Sequence, residues 1–243
     1  MAPLCNVTFP SASSLIEDSI ADCHADFANR FVGGGCLEND FNMEEILFVV
    51  KPELIVAMAL TSHMHDEEVI RISGALQFSC YTGYADTFEF AGDSDKNRRD
   101  PSRHPPATVV AMDALYGAKF RQFEVGLVLR DLNKARLAFD GARTVATGNW
   151  GCGAFGNDHT LKFLQQWMAC SDAGVEDLLY HTHGDKRAAT LPAVVALLSS
   201  LTVGELWTFV CSASKAASEV FPPPMQKKEF LKLISAEGSA GPP

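Results

Sequence analysis

Apolar residues divide this chain into short apolar runs and longer runs with helical period. Residues 27–32, FANRFV, form an apolar-rich run that ends in three glycines and reads as a strand feeding a tight turn. Residues 43–50 carry a helical pattern that stops near Pro52, and residues 53–60 carry a second helical stretch. Short β-type runs follow at 69–73, 87–90 and 108–112, the last of the buried-strand type. Then come a long helical pattern over 123–139, a strand at 144–148, a helix over 158–169 and a strand at 177–182. Helical patterns also cover 188–201, 203–213 and 225–234. Strands alternating with helices predict an α/β layered domain with a largely parallel or mixed sheet. The segment 92–106, GDSDKNRRDPSRHPP, is rich in charge, glycine and proline and is expected to join two ordered halves of one domain. Residues 236–243, AEGSAGPP, read as a disordered tail. The expected layout is therefore one domain over 1–235 and a tail over 236–243.

Composition narrows the class. The 243 residues sit at the upper edge of what one hydrophobic core supports, and 47% hydrophobic with 21% charged residues is globular usage. Twenty basic residues against 30 acidic ones give a net charge of −10. Such a balance argues against direct DNA binding, because non-specific phosphate binding needs many Lys and Arg contacts. It still permits recognition of one phosphorylated end in a pocket. No apolar run reaches the roughly 18 residues that a membrane span needs. The N-terminus lacks a basic segment followed by an apolar one, so no secretory signal is expected. The seven cysteines are scattered and contain no C-x-x-C, which predicts neither a disulfide framework nor a zinc site and fits a reducing intracellular compartment.

Two glycine-rich turns carry the first chemical signal. Gly33, Gly34 and Gly35 form one; Gly151-Cys152-Gly153-Ala154-Phe155-Gly156 forms the other. Each follows a strand candidate and precedes a helix, the context in which backbone amides and a helix N-terminus receive an anion. Two such turns could bracket a pyrophosphate; the alternative is two tight turns without a ligand. The second turn also fits G-x-G-x-x-G, with Glu176 and Asp177 about 20 residues further on. In a dinucleotide-binding unit the acid ends the second strand, whereas here both acids precede the run 178–182. A nicotinamide oxidoreductase is therefore the remote alternative. Glu44 and Glu45 open the helix after the triple glycine. Adjacent helical residues point roughly 100° apart, so they cannot flank one bond from opposite faces as two glycosidase carboxylates do. One can transfer a proton while the other grips the substrate, unless both serve only the helix dipole. The pairs His63/His65 and His181/His183 lack a third ligand nearby, and no metal site is expected. No G-x-S-x-G is present, which removes the commonest serine-hydrolase signature. Lys96, Arg98, Arg99, Arg103 and His104 make a local basic cluster, read as a solvated loop.

Residues 25–35, ADFANRFVGGG, followed after seven residues by Met43-Glu44-Glu45, resemble the signature of the poly(ADP-ribose) glycohydrolases: a triple glycine, six to eight residues, then Gln-Glu-Glu. The blocks KPELIV (51–56), YTGYADTFEF (81–90) and ATGNWGCGAFGND (146–158) agree with it, and Ile16-Glu17-Asp18 resembles the family's adenine-end segment. The resemblance spans about residues 15–215. It implies a macrodomain-like α/β/α fold with a mixed central sheet, hydrolysis of ribose–ribose bonds in poly(ADP-ribose), chiefly from the terminus, and no cofactor or metal. Its partners would be poly(ADP-ribose), ADP-ribose and poly(ADP-ribosyl)ated proteins, with no membrane, in nucleus or cytoplasm.

Carried over residue by residue, the resemblance makes Glu45 the general acid/base, with Glu44 and Asn29 positioning the terminal ribose and Asp26 supporting the same region. Gly33, Gly34 and Gly35 lie nearest the scissile ribose. Asn149, Trp150, Gly151, Cys152, Gly153, Ala154 and Phe155 cradle the diphosphate. Tyr84 covers the ligand with Tyr81 close by, and Ile16 and Glu17 receive the adenine. Two positions depart from the family pattern: Met43 stands where the signature has Gln, and His183 in YHTHGD (180–185) stands where an aromatic residue stacks on adenine. The accessory helical region that often precedes this core is not expected here. The chief rival from another class is a macrodomain that holds ADP-ribose without turnover. Met43 and His183 speak for it; Glu44 and Glu45 speak against it.

Overall fold

The computed structural model describes residues 2–38, 41–95 and 106–220. Its principal sheet contains β1 (Asn6–Thr8), β2 (Cys23–Asp26), β3 (Ile70–Ile72), β6 (Thr108–Ala111), β7 (Thr144–Gly148) and β8 (Asp177–His181), in the order β1-β8-β7-β2-β6-β3. All neighbours run parallel except β3, which pairs antiparallel with β6 at one edge. A separate hairpin joins β4 (Ser79–Thr82) to β5 (Glu89–Asp93). The helices are α1 (Met43–Val50), α2 (Ile55–Leu60), α3 (Val125–Ala138), α4 (His159–Asp172), α5 (Leu191–Leu198) and α6 (Val203–Val220).

Strand alternation sorts the buried residues into two cores. Val109 and Ala111 of β6 join Leu47 and Phe48 of α1 and Leu54 in one cluster, with Ile55 and Met58 packed against it. Val110 and Met112 join Val128 of α3 and Leu161, Leu164 and Trp167 of α4 in the other. In β2, Cys23 and Ala25 belong to that second cluster. Alternation therefore turns His24 and Asp26 toward the α1 side. The result is the expected three-layer arrangement with a mixed central sheet.

The strand expected over 27–32 is a loop, and β2 lies four residues earlier. The sequence CHAD hides this strand, because half of a fully buried strand is polar and the run is not continuously apolar. His24 is satisfied there by the Ser19 carbonyl, 3.1 Å from its Nε2. The apolar residues of FANRFV instead pack from the loop, with Ala28 and Val32 buried in the α1 cluster. Strands β1 and β4 were also not expected; each has only three or four residues. The edge strand β1 is tied down by its neighbour Cys5, whose N–H donates to Ser171 Oγ at 2.9 Å and whose carbonyl accepts from Trp167 Nε1 at 3.0 Å. The run expected at 87–90 divides into a 3-10 turn at Ala85–Thr87 and β5. Pro52 opens a 3-10 turn, Pro52–Leu54, before α2. The expected helix at 225–234, the tail 236–243 and the basic cluster at 96–104 lie outside the described residues.

The loops that follow β2, β6, β7 and β8 leave the sheet at the carboxyl ends of its parallel strands. Open α/β sheets bind ligands at this end.

Candidate active site

Asp26 is the last residue of β2, fully buried, and neither of its carboxylate oxygens has a hydrogen-bond partner among the described residues. Burial pushes its carboxyl well above the usual range, and Glu44 and Glu45 add to the rise. The chain then forms the glycine loop and returns as α1, whose first turn carries Glu44 and Glu45, both buried. The glycine loop turns its amides on these two side chains. Asn29 N–H donates to Glu44 Oε2 at 2.9 Å, and Gly33 N–H donates to Glu44 Oε1 at 2.5 Å. Gly35 N–H donates to Glu45 Oε1 at 3.0 Å. Glu45 Oε2 is buried and has no partner among the described residues. Burial raises Glu44 to about 7 and Glu45 adds to that, against the lowering by the two amides.

The first glycine turn does not offer its amides to an external diphosphate; Gly33 and Gly35 spend them on Glu44 and Glu45, and Gly34 N–H bonds the Phe31 carbonyl at 3.4 Å. Gly34 is required for a steric reason. Its φ is +47°, and a Cβ there would collide with Glu45 Oε1 and lie 3.0 Å from Glu44 Oε2.

The second glycine turn differs. Within residues 149–157, the amides of Trp150, Cys152, Gly156 and Asn157 bond the carbonyls of Gly148, Asn149, Gly153 and Gly151. Those of Gly151, Gly153, Ala154 and Phe155 have no acceptor among the described residues. A run of unsatisfied N–H groups is an arrangement that can receive an anion. Trp150 and Cys152 are buried, and their side chains shape the loop from beneath. Phe155 is partly exposed and meets Tyr116 edge-on at 5.1 Å. Asn149 Nδ2 donates to the Thr182 carbonyl at 3.0 Å, which joins this loop to the one after β8. Asn157 carries no signal of its own in the sequence. Its Nδ2 donates to the carbonyls of Leu115 (2.7 Å) and Gly151 (2.9 Å), clamping the loops after β6 and β7 together. An Asn-Asp pair ahead of an apolar helix signals only the cap, which Asp158 supplies to Thr160 and Leu161.

The expected adenine-end residues also converge. Ile16 and Glu17 form a buried 3-10 turn. The Tyr81 hydroxyl, from β4, donates to the Glu17 carboxylate, and burial with that bond pushes the phenol well above its usual range. His183 lies within electrostatic reach of Glu17, is exposed, and has a φ of +49°. Tyr84 is exposed and its hydroxyl donates to Asn42 Oδ1 at 3.4 Å, reaching across to the residue before α1. Met43 opens α1, half-buried. By contrast His181 serves the fold: its Nδ1 lies 3.0 Å from the Ser14 carbonyl and its Nε2 2.7 Å from Ser19 Oγ.

The raised Glu44 carboxyl has a consequence for stability. A carboxyl whose pKa is higher folded than unfolded favours the folded state while protonated, and that contribution is lost as pH rises from about 4.5 toward about 7. Glu44→Gln should flatten the fall in stability across this window, measured by denaturant unfolding at a series of pH values. A slope identical to that of the natural chain would refute the assignment.

The family profile described as "Poly (ADP-ribose) glycohydrolase (PARG), Macro domain fold" matches residues 1–190. The probable poly(ADP-ribose) glycohydrolase 2 of Arabidopsis thaliana is 32% identical over 253 residues, covering 85% of this chain and 48% of that protein. Poly(ADP-ribose) glycohydrolase 1 of the same plant is 32% identical over 279 residues, covering 82% and 50%. The chain thus spans about half the length of these curated relatives. The Oceanobacillus iheyensis macrodomain superposes with a TM-score of 0.50 at 10% identity, covering 79% of this chain and 92% of that one, which concerns the fold alone. With its profile match running from the first strand through the glycine loop, the paired glutamates and the amide cradle, this chain belongs to the poly(ADP-ribose) glycohydrolase family, on a macrodomain fold.

Proposed function

We propose that the chain hydrolyses the ribose–ribose O-glycosidic bond of poly(ADP-ribose), acting mainly at the terminus and releasing ADP-ribose. One observation carries this reading: loop amides fix Glu44 and Glu45 side by side, and Glu45 Oε2 is left without a partner. A module that only holds ADP-ribose has no use for two buried, oriented carboxylates. The diphosphate lies on the free amides of Gly151, Gly153, Ala154 and Phe155, the adenine near Ile16, Glu17 and His183, and Tyr84 closes over the ligand.

In this reading Glu45 gives its proton to the departing O2′ as the C1″–O2′ bond breaks and oxocarbenium character develops. The Glu45 carboxylate then takes a proton from water as the water oxygen bonds to C1″. Atoms balance: one water is consumed, and two hydroxyls replace one glycosidic oxygen. Glu44, held at both oxygens, cannot swing and is suited to orienting the ribose. Asp26 lies behind the pair, a buried carboxyl that burial favours in its neutral form. The rest of the functional layout, one catalytic domain over 1–235, belongs to the same proposal. Incubating the purified chain with poly(ADP-ribose) and resolving the products tests the whole reading. Free ADP-ribose supports it, long fragments replace the terminal mode by an internal one, and binding without any product favours the non-hydrolytic macrodomain.

Met43 provides a finer test. An amide at this position can hydrogen-bond a ligand polar group that a thioether leaves unpaired, and a neutral hydrogen bond contributes about 0.5–1.5 kcal/mol net. Met43→Gln should therefore tighten ADP-ribose binding several-fold, read by calorimetry. Weaker binding would mean that the pocket has been rebuilt around methionine.

A further inference from the structure

Behind the loop at residues 149–157 lies an ion network that the proposed chemistry does not use. Lys162 of α4 is almost wholly buried and bonds the fully buried Asp131 of α3. Arg130 bonds Asp131 (2.8 Å), Asp113 (2.7 Å) and the exposed Asp66 (2.9 Å). Lys134 also bonds Asp113, and its Nζ lies 2.7 Å from the His65 carbonyl. Buried ion pairs are weak devices for stability, since apolar residues of similar volume often serve as well. What distinguishes Lys162 is where it points. Its Nζ lies 4.2 Å from the centroid of the Trp150 ring, and that ring is fixed from another side by Nε1 donating to the Met112 carbonyl at 2.9 Å. Trp150 immediately precedes the run of residues whose amides are free. Burial, and after it Arg130, pulls the Lys162 ammonium well below the usual lysine range, with Asp113 opposing, while the bond to Asp131 fixes where Nζ sits. A lysine Nζ held over an indole face in a desolvated site, with its other side bonded to Asp131, is a directional contact that fixes the ring.

We infer that Lys162 is a positioning residue for ligand binding: through the Trp150 ring it holds the loop at residues 149–157 in the conformation that presents its free amides to a diphosphate. The inference rests on the proposed function of that loop. Lys134 supplies the internal control, because it belongs to the same network and contacts Asp113 and His65 rather than Trp150.

The experiment is calorimetric titration of the full chain with ADP-ribose and, separately, with adenosine, which lacks the diphosphate. Lys162→Met is expected to weaken ADP-ribose binding about tenfold, as expected for loss of a coupled contact, and to leave the weak adenosine binding unchanged. Lys134→Met is expected to lower the unfolding midpoint without changing either affinity. With poly(ADP-ribose) as substrate, Lys162→Met raises KM and leaves kcat near that of the natural chain. If Lys162→Met does not fold, Trp150→Leu takes its place, since it removes the ring and leaves the Lys162–Asp131 pair. Unchanged ADP-ribose affinity in the variant would overturn the inference. So would equal losses in Lys162→Met and Lys134→Met, which mark general loosening. Failure of the natural chain to bind ADP-ribose would instead overturn the reading of the site itself.

Discussion

Glu45→Gln should release ADP-ribose from poly(ADP-ribose) about 10²–10⁴-fold more slowly than the natural chain, the usual range for loss of a general acid–base group, while binding ADP-ribose as before. The geometry makes this a clean substitution. Glu45 Oε1 accepts from the Gly35 amide, and the amide oxygen of glutamine can accept the same bond. Glu45 Oε2 bonds nothing among the described residues, so an NH₂ at that place breaks none of their contacts. What is lost is the capacity to give and recover a proton. Initial rates with polymer, set beside a calorimetric titration with ADP-ribose, separate the two properties. Release at the natural rate would remove Glu45 from the chemistry; loss of binding with loss of rate would make it a gripping residue.

Gly34→Val and Gly153→Val should both abolish ADP-ribose binding, by different routes. At Gly34 the positive φ is strained for valine and the new Cβ meets the Glu45 carboxylate, so the paired glutamates are forced apart. That variant should lose stability as well as binding. A Cβ on Gly153 meets nothing within 4 Å. The chain should therefore fold with an unchanged melting midpoint, and the valine obstructs only what approaches the amide cradle from outside. Thermal unfolding distinguishes the two. A Gly153→Val chain that binds ADP-ribose normally would show that the loop is a turn and nothing more.

The layering of this fold is legible because its amphipathic helices and several short apolar strands obey their periods. Helix α1 begins and ends where its pattern does, and the segments TVVA and TVATG are strands as their apolar runs imply. The exception is instructive. Strand β2 passes through the middle of the sheet with His24 and Asp26 buried in it, and those polar residues conceal it. Asp26 stands within electrostatic reach of Glu44 and Glu45, so the local rule fails where the proposed site lies. Within the site, the two glycine turns, the paired glutamates and the adenine-end segment are visible as motifs. The division of labour between the turns is not. Spacing alone treats both as anion sites, and only the carboxylates that close on Gly33 and Gly35 show that one turn is already satisfied from within. The clamp made by Asn157 and the strut made by Lys162 are likewise invisible, since each depends on carbonyls or rings contributed from elsewhere in the fold.

The free amides at Gly151, Gly153, Ala154 and Phe155 bear on how such a site can change over time. Under the proposed function, a cradle made of main chain constrains torsion angles and leaves side-chain identity loose, so substitutions at Ala154 and Phe155 that preserve the loop's path are compatible with the same ligand. Drift is restricted instead where the scaffold leaves no room: at Asn157, which clamps the loop to its neighbour, and at Gly151, where a Cβ would strike Ala114. In this region selection is expected to act on the scaffold behind the contact surface more strongly than on the surface itself.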